Sequence, residues 1–432
     1  MRLKTWTAVA AAITLPLISG CGNDNANDGF VRNINATSEY TSLNLYTQDS
    51  DGSDAILISA TAANTASAYE GLKKGSYTFD VKSSTSAGSP TPVTGTVTKD
   101  DHFAVLTYLT GTTTKTQFIS EEEAHPASGN AKLRVFNAAT SEAASVDVYL
   151  TTHACDALAG TDSPFASAVT ALQTSYTQVT ASTWNVCVFA TGDTSTLLLD
   201  VEGLKLADQE IATLVLTRTT GGVLLNGAVL DQQGAYTTYA SAIARVRVVA
   251  DASGGTPVNV TIGSSEIATS QPSPSVANYV TVPTGTLSPT IVYGSTSTSG
   301  YTLPAVAAGN DYTLLVAGSA GAPAVTLITD NNTPSTSTTN TVKARVINGL
   351  NGTNGAVSAT VDGKSVGSAS FGAASTSYTS ILPTSGTSTI HGITTGTNPT
   401  DLVNQTFSAG SVYTIFIYGD ATAPTMAQVI DR

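Results

Sequence analysis

The segment Leu133-Arg134-Val135-Phe136-Asn137 decides the fold, because close variants of it occur four times in the chain. The other copies are Val31-Arg32-Asn33-Ile34-Asn35, Val246-Arg247-Val248-Val249-Ala250 and Ala344-Arg345-Val346-Ile347-Asn348. Successive arginines are 102, 113 and 98 residues apart. Since about 100 residues can bury a core of their own, this spacing predicts an array of four tandem domains.

A tyrosine follows each of these arginines, and an aliphatic residue lies three positions beyond each tyrosine. The four tyrosines are Tyr69, Tyr176, Tyr279 and Tyr378. We expect the arginines to lie on the solvent-facing side of the first strand or to pair with a carboxylate, with ligand binding as the alternative. The tyrosines are expected to cap the domain by hydrogen bonding to the backbone.

Each repeat also contains a strand in which apolar and polar residues alternate, as in Val146-Asp147-Val148-Tyr149-Leu150. This period of two is typical of a strand with one buried face and one solvated face. Charged residues make up only 11% of the chain, and no segment keeps a helical period over three turns. The pattern predicts an all-β protein of four tandem immunoglobulin-like β-sandwich domains after a lipoprotein signal peptide.

The predicted domain boundaries follow from the repeats and from the polar segments between them. They are a signal peptide at 1–20, a lipidated tether at 21–29, and sandwiches at 30–120, 131–231, 243–330 and 342–432. The junctions at 121–130 and 232–242 are short enough to permit contact between domains. The junction at 330–341 is rich in Asn, Ser and Thr and is predicted to be a flexible linker. Each repeat is expected to hold a complete core, with small contributions from the junctions.

The first twenty residues have the features of an export signal. Arg2 and Lys4 precede an apolar stretch, 6–18, that is short for a membrane span. The stretch ends in Leu17-Ile18-Ser19-Gly20-Cys21, which resembles the bacterial lipobox, so Cys21 is the predicted lipidation site. We therefore expect a lipid-anchored, extracytoplasmic protein of the bacterial cell envelope. Because Gly22 and not Asp follows Cys21, the outer membrane is favoured if the host is Gram-negative.

Charge and cysteine content bear on partners and on the compartment. The net charge of −13 becomes −15 once Arg2 and Lys4 leave with the leader, which argues against a nucleic-acid partner. The two remaining cysteines, Cys155 and Cys187, lie in the second repeat, and an oxidising compartment favours a disulfide between them. Such a bridge would stabilise the fold by about 3–4 kcal/mol on the chain-entropy model.

Motifs for metal binding and catalysis are weak. Asp49, Asp51 and Asp54 resemble a small calcium loop without the EF-hand spacing, and Glu121-Glu122-Glu123 could share Ca²⁺ between domains; a polar turn and a solvated acidic linker are the alternatives. The match to G-x-S-x-G at 363–367 follows Asp362 and fits a hairpin better than a nucleophile elbow. None of the four histidines recurs at a shared repeat position. We expect no cofactor and no enzyme activity.

The second repeat resembles the bacterial domain-of-unknown-function family 4397. The resemblance rests on Ser145-Val146-Asp147-Val148-Tyr149-Leu150-Thr151 followed by Cys155-Asp156-Ala157-Leu158-Ala159. In repeat four, Val361-Asp362-Gly363-Lys364 resembles the variant with a strand and a DG hairpin. Repeats one and three keep the strand pattern but not the V-D-V-Y letters. The resemblance implies an exported, often lipid-anchored tandem protein, and it brings no catalytic residues.

These observations predict a lipid-anchored envelope rod with a structural, adhesive or protein-interaction role. Its partners would be the membrane, through the N-terminal lipid, and an envelope protein or glycan that the sequence does not identify. The alternative is a glycan- or peptide-binding surface lipoprotein. A hydrolase with an unrecognised site is the third reading.

Overall fold

The computed structural model of the protein describes residues 28–48, 54–83, 91–111, 113–158, 161–170, 173–334, 341–352, 355–383, 386–394 and 400–432. The secondary structure of these residues is almost entirely β-strand, and the two three-residue 3₁₀ helices among them are Cys155–Ala157 and Ser253–Gly255. No helix in this described part of the chain has the length and apolar character needed to cross a membrane. The predicted all-β fold is confirmed.

The strands fall into four consecutive sets, one for each repeat. The first set is β1 (Asp28–Asn35), β2 (Ser42–Gln48), β3 (Asp54–Ala62), β4 (Thr65–Ala66), β5 (Glu70–Lys73), β6 (Gly75–Ser83), β7 (Val93–Val97), β8 (His102–Thr110) and β9 (Thr113–Ser120). The second set is β10 (Asn130–Asn137), β11 (Val146–Thr151), β12 (Ala166–Val169), β13 (Thr177–Thr180), β14 (Thr183–Ala190), β15 (Asp193–Lys205), β16 (Ile211–Arg218), β17 (Leu225–Asp231) and β18 (Tyr236–Tyr239).

The last two sets follow the same plan. The third set is β19 (Ile243–Ala252), β20 (Val258–Ile262), β21 (Ser265–Gln271), β22 (Ser275–Val276), β23 (Val280–Pro283), β24 (Gly285–Thr286), β25 (Pro289–Tyr293), β26 (Thr296–Thr298), β27 (Ala305–Val306), β28 (Asp311–Ser319) and β29 (Ala322–Asp330). The fourth set is β30 (Val342–Asn348), β31 (Val357–Val361), β32 (Lys364–Ala369), β33 (Thr379–Ile381), β34 (Ser388–Thr394), β35 (Thr400–Gln405), β36 (Val412–Asp420) and β37 (Ala423–Ile430).

Each set forms a sandwich of two sheets. One sheet contains the first strand of the repeat with its arginine, and we call it the arginine sheet; the other is the outer sheet. The arginine sheets run β4-β1-β8-β9, β13-β10-β16-β17-β18, β22-β19-β28-β29 and β33-β30-β36-β37, with β5 added on β1 and β23 added on β19. The outer sheets run β3-β2-β6-β7, β12-β11-β14-β15, β21-β20-β25-β26 and β32-β31-β34-β35.

The same pairing places the arginine in every repeat. The first strand pairs in parallel with the late apolar strand, which forms an antiparallel hairpin with the closing strand. The alternating strand lies in the outer sheet, and its apolar side faces the core, as the period of two predicts. In repeat two, Val146 and Val148 are fully buried in that core beside Leu133 and Val135 of β10.

The arginine sheets are buried on both faces. Besides the four cores inside the sandwiches, two apolar clusters join neighbouring repeats. The first contains Ile34 and Leu106 of repeat one with Phe136 of repeat two. The second contains Leu315 of repeat three with Phe416 of repeat four. The sheets of repeats one and two therefore stack in the order outer, arginine, arginine, outer, and those of repeats three and four do the same.

The expectation of small junction contributions did not include these two apolar interfaces. The reason lies in the late strands, in which apolar residues point to both faces. Such a strand must be covered twice, once by its own outer sheet and once by the neighbouring repeat. We call repeats one and two the first pair, and repeats three and four the second pair.

The predicted flexible linker at 330–341 is wrong for its first residues. Asp330 ends β29 and is buried. Lys343 donates to the backbone oxygens of Asn331 and Thr333, at 2.8 Å each. The Asn332 amide donates to the Gly221 oxygen of repeat two at 2.6 Å. Residues 335–340 lie outside the described part of the chain.

Candidate functional site

The four recurring arginines are buried where the repeats of a pair meet. Arg32, Arg247 and Arg345 are each at most 2% exposed, and Arg134 is 8% exposed. On each first strand the residues beside the arginine face the core, so the arginine points to the opposite face, which the partner repeat covers. The prediction of a carboxylate partner is confirmed for Arg32, Arg247 and Arg345, whereas the prediction of a solvent-facing position is wrong.

In the second pair the two arginines exchange partners across the interface. Arg247 of repeat three donates from Nη1 to Asp431 Oδ1 of repeat four at 2.5 Å. Arg345 of repeat four donates to Asp330 Oδ1 of repeat three. Each carboxylate follows or ends the closing strand of its own repeat. The contacts are reciprocal, as in a two-fold interface between identical subunits.

Two threonines complete this arrangement. Thr313 of β28 donates to Asp330 Oδ2 at 2.8 Å and accepts a hydrogen bond from Arg247 Nε at 2.9 Å. Thr414 of β36 stands at the same position in repeat four, where it donates to Asp431 and accepts from Arg345 Nε at 3.1 Å. Each buried carboxylate therefore has a threonine from its own repeat and an arginine from the partner repeat, which offsets the cost of burying the charges.

The electrostatics of this cluster follow from burial and from the opposed charges. Burial works against the charge of Arg247, but the nearby carboxylates of Asp431 and Asp330 outweigh it, so the pKa of Arg247 is raised. Arg345 shows the same balance, with Asp330 as the main stabilising charge, and its pKa is also raised. Burial raises the pKa of Asp431, although Arg247 and Arg345 oppose that shift.

Each recurring tyrosine stacks on the recurring arginine of its own repeat. The distances from guanidinium carbon to ring centroid are 4.9 Å for Arg32 over Tyr69, 4.3 Å for Arg134 over Tyr176, 4.7 Å for Arg247 over Tyr279 and 4.8 Å for Arg345 over Tyr378. The aliphatic residue three positions beyond the tyrosine lies on the short strand that pairs with the first strand. That pairing holds the ring over the guanidinium, where cation–π attraction is favourable.

The tyrosine hydroxyls mostly bond side chains, so the expected backbone cap is wrong for three of the four. Tyr69 donates to Glu121 Oε2 at 2.5 Å, and Tyr279 donates to Asp330 Oδ2 at 2.5 Å. Tyr176 lies 3.4 Å from the Thr213 hydroxyl. Tyr378 alone among these four bonds the backbone, accepting the Asn331 amide at 3.2 Å.

The first pair lacks the reciprocal exchange, and two substitutions account for this. By strand register, Glu121 and Gln232 occupy the positions that Asp330 and Asp431 hold in the second pair. Because Gln232 is uncharged, Arg32 pairs with Glu121 of its own repeat. Its hydrogen bonds to repeat two in the described structure go to backbone oxygens, that of Asp231 at 3.0 Å and that of Gly234. Arg134 donates to Thr213 at 2.8 Å and forms no ion pair in the described structure, and burial lowers its pKa.

The acidic triplet that offered a calcium site is occupied by protein contacts. Glu121 pairs with Arg32, and Glu123 pairs with Lys132. Glu122 accepts from the His102 backbone amide at 2.6 Å. Across the described residues, no three His, Cys, Asp or Glu side chains are grouped so that they could hold a metal ion.

The remaining predicted site residues are dispersed. Cys155 and Cys187 form the predicted disulfide, with their Cα atoms 5.4 Å apart. Asp54 pairs with Lys82, and that hydrogen bond lowers the pKa of Asp54. Cys21, Asp49 and Asp51 lie outside the described residues.

The hydrolase-like motif is a hairpin. Asp362 and Gly363 both have positive φ, as a tight turn between β31 and β32 requires, and Ser365 lies on β32. His391 contacts Asp401 on the neighbouring strand, and His153 lies 3.1 Å from Asp162. These histidines belong to different repeats.

The late strands carry a sequence signal for the paired interfaces. The late strands read Phe103-Ala104-Val105-Leu106 and Tyr413-Thr414-Ile415-Phe416-Ile417, with almost no polar alternation. Apolar residues on both faces indicate a strand that is covered on both sides. This pattern does not show which carboxylates pair with the arginines, because Asp431 lies 184 residues from Arg247 along the chain.

A cleft separates the two pairs, next to the disulfide. One part has a volume of about 410 Å³ and is lined by Asp156 and Leu158 of repeat two and by Thr281 of repeat three. The adjoining part, of about 230 Å³, is bordered by Leu197 and by Arg245. Near the disulfide, burial together with Glu202 and Asp156 raises the pKa of Asp200 to about 6. The cleft therefore combines hydroxyl, aliphatic and charged groups.

Two stretches of the chain, 29–149 and 244–353, match the family described as Domain of unknown function (DUF4397). Each match covers the first repeat of a pair; the first match continues through β10 into β11, and the second continues through β30. The segments that carry the resemblance in the sequence lie in repeats two and four. No curated protein matches the chain. Among solved structures, the chain is similar to "The Bacillus anthracis TIE protein", with 8% identity over 87% of this chain and 67% of that chain and a TM-score of 0.14. Because the two family matches cover more than half of its residues, the chain belongs to the DUF4397 family.

Proposed function

We propose that the protein is a lipid-anchored, non-enzymatic component of the bacterial cell envelope with a structural or adhesive role. The proposal rests on where the recurring polar residues lie. The arginines, tyrosines and closing carboxylates are the side chains that a repeated ligand site would present. They are instead buried between repeats, where they hold tandem domains together.

This arrangement supports a spacer that presents its outer surfaces in a fixed geometry. Bending within the second pair would expose Asp330 and Asp431 and separate them from Arg345 and Arg247. Interfaces that are large and apolar restrict the relative motion of domains. The lipobox-like segment ending at Cys21 supports attachment to a membrane through lipid.

The anchor is tested by metabolic labelling with an alkynyl fatty acid in the native host or a bacterial host. The wild-type chain is expected to be labelled and to fractionate with membranes, whereas the variant Cys21→Ala loses both properties. Cys155→Ala with Cys187→Ala is the matched control, since it removes thiols without touching the leader. Labelling of the Cys21→Ala variant would exclude the proposed anchor.

The structural or adhesive role is tested by deleting one pair at a time, residues 30–231 or 243–432, and measuring cell adhesion and envelope integrity. A spacer is expected to lose function in part with either deletion, because each pair contributes length and surface. Complete loss with one deletion and no loss with the other would contradict this role and favour a single binding site.

The cleft between the pairs favours a second candidate, a glycan- or peptide-binding surface protein. Ligand sites occur preferentially at domain interfaces and combine apolar walls with a few polar groups. Screening the full chain against glycan and peptide arrays tests this candidate. Binding that is abolished by Thr281→Trp, which fills the cleft, and retained by Thr298→Trp, elsewhere in repeat three, would support it.

A further inference from the structure

In the described part of the second pair, the carboxyl group of Asp251 lies in the apolar interface with no cation beside it. Asp251 lies near the end of β19 and is 1% exposed. Its Oδ1 accepts the Gly419 amide of repeat four at 2.7 Å. Its Oδ2 is buried and has no hydrogen-bond partner among the described residues. An unpaired buried carboxylate is costly, and protonation removes most of that cost.

The surroundings of Asp251 belong mainly to repeat four. A Cβ atom at Gly349 would lie 2.8 Å from Asp251 Oδ2, so the carboxyl packs closely against that glycine. The Asn351 side chain donates to the Asp251 backbone oxygen at 2.6 Å. Separation of repeats three and four would therefore transfer the carboxyl from this enclosed position into water.

Among the described residues, no cation offsets the charge of Asp251. The titratable groups facing it are Asp420 and Tyr418, both of β36. A cavity of about 210 Å³ beside it is lined by both aspartates and by no basic side chain. Burial, together with the nearby charge of Asp420 and against the opposing effect of the Gly419 amide, raises the pKa of Asp251 to about 8.

Asp251 is peculiar to repeat three. The residue four positions after the recurring arginine is Ala36 in repeat one, Ala138 in repeat two and Gly349 in repeat four. The first pair therefore forms an apolar contact between repeats without a carboxyl at this position.

We propose that Asp251 makes the contact between repeats three and four weaken as the pH rises, because opening the contact releases the proton that the buried carboxyl holds. In the open state the group has the ordinary acidity of an exposed aspartate, with a pKa near 3.9. Below about pH 4 Asp251 is protonated in both states, and its contribution to the contact is at its strongest. Above about pH 8 both states are ionised and no further loss follows. Between these limits the opening constant rises about tenfold per pH unit.

The test measures opening by thiol labelling of the full chain carrying Ala317→Cys, a fully buried interface position of repeat three. Rates are corrected for the intrinsic reactivity of an exposed thiol at each pH. We expect the opening constant to rise about five hundredfold from pH 5 to pH 8. With Asp251→Ala added, which installs the residue of repeats one and two, the rise should be much smaller, and what remains would come from the other buried carboxyl with a raised pKa, Asp431.

Two controls keep the test decisive. Ala104→Cys reports on the first pair, and its dependence on pH should be the same with Asp251 and with Asp251→Ala. Hydroxyl-radical footprinting of Tyr418 in the chain without an added cysteine gives an independent measure if the cysteine variant does not fold. Equal pH dependence with Asp251 and with Asp251→Ala would overturn the proposal.

Discussion

At the residue scale, the recurring arginines occupy different environments in the same chain. Arg345 has a carboxylate from the partner repeat, a threonine and a stacked tyrosine. Arg134 has the threonine and the tyrosine but no ion pair in the described structure. The difference follows from the carboxylate at the end of the closing strand in the partner repeat. Asp330 pairs with Arg345, whereas the equivalent Glu121 pairs with Arg32 of its own repeat and not with Arg134.

This difference predicts unequal effects of the same substitution. Arg345→Met should lower the free energy of unfolding of the second pair by about 3 kcal/mol, because it removes the nearest cation from the buried Asp330 and leaves Arg247 at 3.9 Å as the remaining one. Arg134→Met should cost less, since it removes no carboxylate partner. Urea unfolding followed by circular dichroism measures both. Equal losses would show that the ion pair contributes little.

A double variant separates the ion pair from the packing around it. Arg345→Met combined with Asp330→Leu should be more stable than Arg345→Met alone, because no unpaired buried charge remains. The interaction is obtained from a double-mutant cycle in the same urea experiment. Additive losses from the two substitutions would contradict direct coupling across the interface.

At the element scale, the late strands contribute to two cores at once. In β36, Ile415 faces the core of its own sandwich, whereas Phe416 faces repeat three. Phe416→Ala should therefore cost about 3–5 kcal/mol by leaving a cavity between the repeats. Ile393→Ala is the matched control, because Ile393 is 46% exposed on the outer sheet and should change stability by less than about 0.5 kcal/mol. Thermal unfolding of both variants provides the comparison.

At the scale of the whole molecule, the shared interfaces predict two cooperative units, each of two sandwiches. Val148→Asp would place an unpaired charge in the core of repeat two. We expect it to unfold the first pair, including repeat one, and to leave the second pair folded. Hydrogen exchange with peptide-level resolution detects this as lost protection across residues 28–231. Continued protection of repeat one would mean that each sandwich is stable by itself.

The sequence by itself determined the all-β class, the fourfold repeat, the disulfide and the hairpin at Asp362. These features depend on local spacing: apolar alternation with a period of two, turn residues between strands, and two cysteines within one repeat. It also showed that Arg247 and Arg345 recur, and it allowed a carboxylate partner for them.

Only the tertiary structure decided how the repeats are paired and which carboxylates the arginines meet. Asp431 reaches Arg247 only when two arginine sheets stack face to face, and no local pattern states which sheet covers which. The same holds for Asp251, whose sequence neighbours do not reveal that repeat four encloses it. The physical reason is that burial between domains depends on surfaces from distant parts of the chain, whereas strands and turns depend on neighbouring residues.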